Sequence, residues 1–272
     1  MSGISVRALP VAVAAALLSG AAAAQSGTGI HPELQDRYSL ELGAYRPSAK
    51  TTAHLNSSAG AAGTSFSFED ALGMEESKTT ATVLGRIRLG DRWRLEAGYL
   101  DLDRSGSRAV GGTINWGDNT FTAGSTVQSK FQSQTLRLSG GYSFIKDANS
   151  ELGVALGLHT TDFKVSLSSP AGGVRRADAV APLPTIGVYG AYAFTPKWLV
   201  SGRVDAFSLS SGKYDGSLVD AMAKIDYRFH RNFGVGLGYR YVKYDLDVSK
   251  SSFNGGVQYK FSGPALYLTG SF

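Results

Sequence analysis

The chain contains no cysteine and only four histidines in 272 residues. The first absence excludes both a disulfide framework and a thiolate metal site. The histidines, His31, His54, His159 and His230, are too dispersed to signal a metal centre, so no metal and no cofactor is expected. Lysine and arginine nowhere form a run, and the formal charge of +5 is diffuse, so no nucleic-acid partner is expected. After Leu18 no apolar run reaches the roughly 20 residues of a spanning helix. If this chain enters a membrane it must do so as a closed barrel, because lipid leaves open strand edges unsatisfied.

What is present begins with MSGISVRALPVAVAAALLSGAAAAQ. One early positive charge, Arg7, precedes an apolar run from Ala8 to Leu18 and a small-residue stretch ending in Ala22-Ala23-Ala24. That layout predicts a secretory signal peptide over 1–24. Read as a membrane anchor, the run is too short. Residues 25–36 are then a short leading segment, and 37–272 the folded body. Glycine is abundant, at 34 residues, and much of it lies inside regular strand patterns that it ordinarily weakens.

A period of two dominates the body. YSLELGAY sets Tyr38, Leu40, Leu42 and Ala44 against Ser39, Glu41 and Gly43. Similar alternation recurs at ATVLGRIRL, WRLEAGY, TLRLSGGYSF, LGVALGLH, IGVYGAYAF, VDAMAKIDYRF and FGVGLGYRY. Short turns fall at 90–92 (GDR), 146–150 (KDANS), 195–197 (TPK) and 230–232 (HRN). Longer polar connections are expected near 56–76, 104–128, 167–180 and 210–217, with a shorter one near 249–252. Tight turns at one rim and long loops at the other are the asymmetry of transmembrane barrels. Aromatic residues gather beside the short turns: Trp93, Phe144, Phe194, Trp198, Phe229 and Phe233. They suit a membrane-interface girdle. The fold class is therefore all-β, a transmembrane antiparallel up-and-down barrel. Ten strands are preferred; eight and twelve remain open. An apparent one-residue phase change, between Val257-Tyr259-Phe261 and Leu266-Leu268-Phe272, predicts a bulge at Ser262–Pro264 in one long final strand.

The signal segment, the alternating strands and the terminal Phe272 resemble the small outer-membrane β-barrel superfamily of Gram-negative bacteria, which includes the OmpA transmembrane domain and the OmpW-like proteins. The ending GYRYVKYDLDV…FNGGVQYKFSGPALYLTGSF is similar to the last hairpin of many members. The resemblance implies an outer-membrane location with both termini periplasmic. It implies Phe272 as a signal to the barrel-assembly machinery, and outer-membrane lipid and lipopolysaccharide as partners of a monomer.

Alternation aims a charged set inward: Glu41, Arg86, Arg88, Arg94, Glu96, Arg137, Arg203, Asp205, Asp220, Lys224, Asp226, Arg228 and Arg240. Counting from the GDR turn places Arg86 across from Glu96, and Arg88 across from Arg94. The like-charged pair requires an anion or a further carboxylate, for which Glu41 is the candidate. Inward Gly234, Gly236 and Gly238 leave room opposite Arg228, Asp226 and Lys224. A filled lumen is preferred, with a structural or surface role; a narrow conduit for polar or anionic solutes is the alternative. No catalytic residue is assigned and no enzyme is expected, an outer-leaflet enzyme being the last alternative, since inward His159, followed by Asp162 and Ser166, fixes no acid–histidine–serine geometry. Residues 57–77 suit either a lid or a segment lying on the outer leaflet, with FEDALGM as one helical turn. Its acidic Glu69, Asp70, Glu75 and Glu76 suit divalent cations, and a solvated loop explains them equally.

Overall fold

The structure, a computed structural model, describes residues 29–55, 64–116, 119–211, 214–250 and 253–272. The expected signal peptide, 1–24, lies outside the described residues. A four-residue helix, α1 (Pro32–Gln35), leads into β1 (Tyr38–Tyr45) and β2 (Ser48–Leu55), then β3 (Thr64–Ser67) and α2 (Phe68–Leu72). The wall continues as β4 (Thr80–Leu89), β5 (Trp93–Ala109), β8 (Thr126–Lys146), β9 (Ser150–Ser169) and β10 (Gly173–Ala193). It closes with β11 (Trp198–Ser211), β12 (Tyr214–Arg228), β13 (Phe233–Lys250) and β14 (Phe253–Ser271). A separate small hairpin, β6 (Ile114–Trp116) and β7 (Asn119–Phe121), sits between β5 and β8.

Neighbours in the wall are neighbours in sequence, and β14 returns to pair with β1, so the sheet is a closed ten-stranded antiparallel barrel. Closure leaves no open edge along the ring. β1 and β2 are one strand interrupted at Arg46–Pro47: Tyr45 faces Ala265 and Ser48 faces Ser262 in unbroken register on β14.

The outer surface of the lower part, toward the short turns, is apolar. Leu156 and Ile186 are cross-strand partners, and they are 69% and 67% exposed. Leu95, Leu138, Val188, Val204, Leu237 and Leu268 are likewise exposed around the ring. A contiguous exposed apolar belt of this size marks contact with lipid or a partner, not with water.

Higher up, the pattern reverses. Phe131, Leu102, Leu218, Val242, Tyr244, Tyr259 and Phe261 are buried inside, whereas Gln128, Lys130 and Lys260 are exposed outside. This reversal corrects the expected bulge. The β13–β14 register runs through Tyr241↔Ser262, Arg240↔Gly263 and Tyr239↔Pro264 without a shift. Tyr259 and Phe261 point inward and Leu266 and Leu268 outward on one uninterrupted strand. What looked like a change of phase is a change in which face is apolar. The irregularity that the ladder does contain lies between Ser143 and Ile145, beside the KDANS turn.

The same reversal corrects three expected loops. Strands run to Ala109, Ser169 and Ser211 and restart at Thr126, Gly173 and Tyr214. Their polar residues read as loop because they cover the outside of strands that have left the apolar belt. About 9–11 residues suffice to cross a bilayer, and strands of 20 and 21 residues, β9 and β10, run well past the length of such a span.

This upper interior behaves as a soluble-protein core. Phe131 lies in edge contact with Phe68, 6.1 Å between centroids, and with Tyr259, 5.0 Å. Phe131→Ala is expected to cost about 3–5 kcal/mol, while Gln128→Ala on the outside of the same strand costs under about 0.5 kcal/mol. Unfolding midpoints in detergent, compared between the two variants, check this difference.

Candidate functional site

The ladder delivers to the lower interior the side chains that alternation predicts. Arg86 opposes Glu96 and Arg88 opposes Arg94 in register, and Glu41, Arg88, Arg94, Glu96, Asp205, Asp220, Asp226 and Arg228 are all buried. The partners differ from those expected. Glu41 does not serve Arg88 and Arg94; its carboxylate takes Lys224 Nζ at 2.5 Å. The counter-charge comes instead from Glu151 at the start of β9. It accepts from Arg88 at 2.6 and 2.9 Å and stands 3.7 Å from Arg94 and 3.2 Å from Lys146. Glu151 shares the inward parity of His159, so the alternation of β9 extended to its first residues would have found it.

A second carboxylate, Glu96, serves several cations. Arg203 Nη1 lies at 2.5 Å, Arg94 at 3.3 Å and Arg137 at 3.7 Å. Arg203 also forks onto Asp205 at 2.6 and 2.7 Å, and Arg137 reaches the same carboxylate at 3.2 Å. Arg240 forks onto Asp220 at 2.9 and 2.6 Å. Asp226 accepts from Tyr267 Oη at 2.9 Å. That bond explains Gly236: a Cβ there would lie 2.3 Å from Tyr267 Cζ, so this glycine makes room for the tyrosine more than for Asp226. Gly234 and Gly238 do face Arg228 and Lys224, as expected.

The short-turn mouth is closed by α1. Glu33 accepts from Arg86 at 2.7 Å and Arg228 at 2.5 Å, while its backbone carbonyl takes Arg88 at 3.0 Å. Leu34 is buried beside Ala193 and Leu199, and its carbonyl accepts from Lys146. Asp36 is gripped by Arg231 at 2.6 and 2.8 Å. Burial works to raise the Glu33 carboxyl, but Arg86, Arg228 and Lys224 outweigh it and hold the group well below the ordinary carboxylate range. Burial, aided by Arg228, lowers His31 from 6.5 to about 4. This mouth segment carried no periodic signal, so its residues were not legible as lumen groups.

Above the charges, the interior passes through Tyr45, Leu100, Leu218 and Val242 into the aromatic core. α2 caps that core. Ser67 Oγ accepts from Asp70 N at 3.3 Å at the helix start, and Gly73, at φ 62°, ends it. Glu69 turns inward onto buried Arg104 at 2.7 Å and accepts from Thr51 N at 3.0 Å. Residues 68–74 therefore form a lid, with Leu72 and Met74 buried. Of the acidic group expected to be open to cations, Glu69 is committed to Arg104. Between mouth and core remains a cavity of about 110 Å³, touched by Arg86, Arg94, Arg137, Arg203, Glu96 and Asp205 among others.

His159 is buried, with Nε2 at 3.8 Å from Asp205 and Nδ1 at 3.9 Å from Asp220. Among the described residues, these three are the group whose ligand atoms approach closely enough to hold a metal. They fit one poorly: the ring nitrogens face different carboxylates, and arginines already occupy both. Neither ring nitrogen comes within hydrogen-bond distance of a carboxylate. Asp162 does not join His159; it pairs with Lys164 at 2.8 Å on the outer face, and Ser166 shares that outward parity.

The remaining predicted residues stand where parity puts them. Trp93, Phe144, Phe194, Trp198, Phe229 and Phe233 are exposed on the outside at the short-turn end. Phe272 closes the chain against Phe233, with centroids 6.0 Å apart.

The outer membrane protease OmpT of Escherichia coli superposes with a TM-score of 0.57 at 13% identity, covering 91% of this chain and 99% of that one. The chain has the fold of the Gram-negative outer-membrane β-barrels. The translocator domain of the autotransporter NalP of Neisseria meningitidis gives 0.42 at 12% identity, covering 97% and 95%. Ail of Yersinia pestis gives 0.38 at 11%, covering 86% and 99%. No family model and no curated protein matches the sequence. At such identities the likeness extends to the barrel and not to what any of these proteins does.

Two outcomes follow from the ion pairs inside this barrel. Glu96→Ala strips Arg94, Arg137 and Arg203 of a shared carboxylate, whereas Arg86, its neighbour in register, keeps its ion pair with Glu33. A buried charge left without its partner costs roughly 3–5 kcal/mol. Glu96→Ala is expected to lower the gel heat-modifiability temperature more than Arg240→Ala, which frees one aspartate; equal shifts contradict the network. Acid should also release α1. Undocked His31 takes up a proton as pH falls below 6.5, whereas docked His31 resists until about 4. The depressed Glu33 adds a penalty of the same sign at lower pH. A fluorine label on Gln35→Cys, followed by NMR, should show docking complete above pH 7 and weakening from 6.5 toward 4.

Proposed function

We propose that this chain is an outer-membrane barrel closed to solutes, working as a structural element of the membrane or through the surface of its projecting half. The observation that carries the reading is closure at two levels: α1 is ion-paired into one mouth, and an aromatic core capped by α2 fills the other. The apolar belt and the aromatic residues at the short-turn end support the membrane setting and a role as interface girdle. The projecting half is then extracellular and both termini periplasmic. Cysteine labelling of intact cells tests that orientation: Ser169→Cys reacts from outside and Asn149→Cys does not, and the reverse result inverts it.

Planar-bilayer recording of the purified protein tests closure. Silence, or rare small openings, is expected across voltages. A single wide open state contradicts the filled lumen. The cavity beside Arg137 and Arg203 favours a second reading, a narrow conduit with anion preference. Reproducible small steps whose selectivity changes in Arg203→Glu would establish that alternative.

A further inference from the structure

Above the belt one seam of the wall stays open. β10 remains paired with β9 up to Gly173↔Ser169, and β11 with β12 up to Ser211↔Tyr214. The ladder between β10 and β11, however, ends at Ile186↔Ala206. Residues 173–185 are therefore a strand with one neighbour. Leu183, Ala181 and Phe207 pack against the aromatic core behind the opening, so the interior stays filled. The gap between β2 and β5, where β4 has not yet begun, is closed by the chain itself. There Glu75 N donates to Ser105 O, and Ala49 N donates to Glu76 O. Among the described residues no segment pairs with β10 in this way.

The free backbone groups can be assigned from the bottom of the strand. Ala193 N donates toward β9, to Asn149 O, and Phe194 N toward β11, to Trp198 O. Alternation along an antiparallel strand then turns the even-numbered residues of β10 toward the seam. Pro182 and Pro184 obey this rule, since they lack an N–H and still keep register with β9. They blunt the lower end of the edge. Above them Val174, Arg176, Asp178 and Val180 direct N–H and C=O groups into the seam, where no strand meets them.

The side chains point to an occupant as well. Val174, Val180 and, on β11, Leu209 are exposed apolar groups above the belt, on the two strands that border the opening. Arg176 is exposed beside Ser166 and has no carboxylate within ion-pair distance among the described residues. Lys164, the β9 partner of exposed Asp178, is paired with Asp162 at 2.8 Å. An unpaired edge with uncovered apolar and charged side chains is a template for a further strand.

We propose that residues 174–180 of β10 bind an extended segment of another protein, added antiparallel to the wall. Cross-strand pairing specifies its chemistry: apolar residues opposite Val174 and Val180, an acid opposite Arg176 and a base opposite Asp178. Read against β10, with threonine between these positions for its strand preference, the segment is Val-Thr-Lys-Thr-Glu-Thr-Val. The proposal rests on the reading in which the projecting half works through its surface, and it names the partner.

The test titrates the full mature chain in detergent micelles against that peptide, fluorescently labelled, and follows anisotropy. Saturable binding is expected. N-methylation of the peptide's lysine and glutamate, whose N–H groups face β10, should abolish it, whereas N-methylation of the threonines should not. Asp178→Pro removes an N–H from the seam and none from the β9 ladder, and should weaken binding about tenfold. Arg176→Glu should weaken it about threefold, and a peptide with lysine in place of glutamate should restore it. Lys260→Gln should leave binding unchanged. Absence of saturable binding, or equal binding of the peptide methylated at lysine and glutamate, overturns the proposal whether or not the proline variant folds. A dimer that excludes the peptide and is dissolved by Asp178→Pro assigns the edge to a second copy, and also overturns it. Planar-bilayer conductance of the same preparation separates the two readings: a wide open state refutes the closed barrel, while peptide binding in that sample still supports the edge.

Discussion

Shared carboxylates in the lower lumen are the interaction on which the rest of this barrel depends. Closing the strands commits every second side chain to a narrow interior, and arginine and lysine there cannot be left without countercharge. Glu96 and Glu151 meet that requirement jointly, contacting Arg88, Arg94, Arg137, Lys146 and Arg203 between them. Glu33 extends the network into the mouth through Arg86 and Arg228. Because each of these acids serves more than one strand, the charges also tie β4, β5, β8, β9, β11 and β12 to one another across the interior. A polar network of this kind rigidifies a structure only when its members are satisfied together.

Height along the barrel decides which face carries which chemistry. In the lower half the outside is aliphatic and the inside ionic; in the upper half the inside is aromatic and the outside polar. The strand ladder is continuous through both, so the same backbone serves two solvents. Among the described residues the buried Arg104–Glu69 ion pair is the exception in the upper core, and it fastens the lid to β5 while Thr51 N ties the same carboxylate to β2.

Much of this was legible in the sequence. Period-two alternation located the ten strands and put Arg203 and Asp205 inside and Val204 outside, because parity in a strand admits two answers and lipid or lumen selects one. The four short turns fell where the residue pattern changed. The projecting strands were misread as loops because the rule that apolar faces outward holds only inside the belt; at Tyr259 and Lys260 it inverts. The ion pairs were partly legible. Register fixes neighbours on adjacent strands, such as Arg86 and Glu96, but partners across the lumen, such as Arg203 and Glu96 or Lys224 and Glu41, depend on barrel curvature and on side-chain reach. Glu33 reached the site from a segment with no period at all.

One continuous, packed barrel runs from the charged lumen through the aromatic core above the apolar belt. Hydrogen–deuterium exchange, resolved by residue on the protein in detergent micelles, measures this directly. Backbone amides of Leu102, Phe131, Val165 and Val242, on the projecting half, should exchange as slowly as those of Leu95, Leu138 and Val204 within the apolar belt. Exchange of the projecting amides within minutes, while the belt stays protected, would show an upper half that frays open and would contradict the claim.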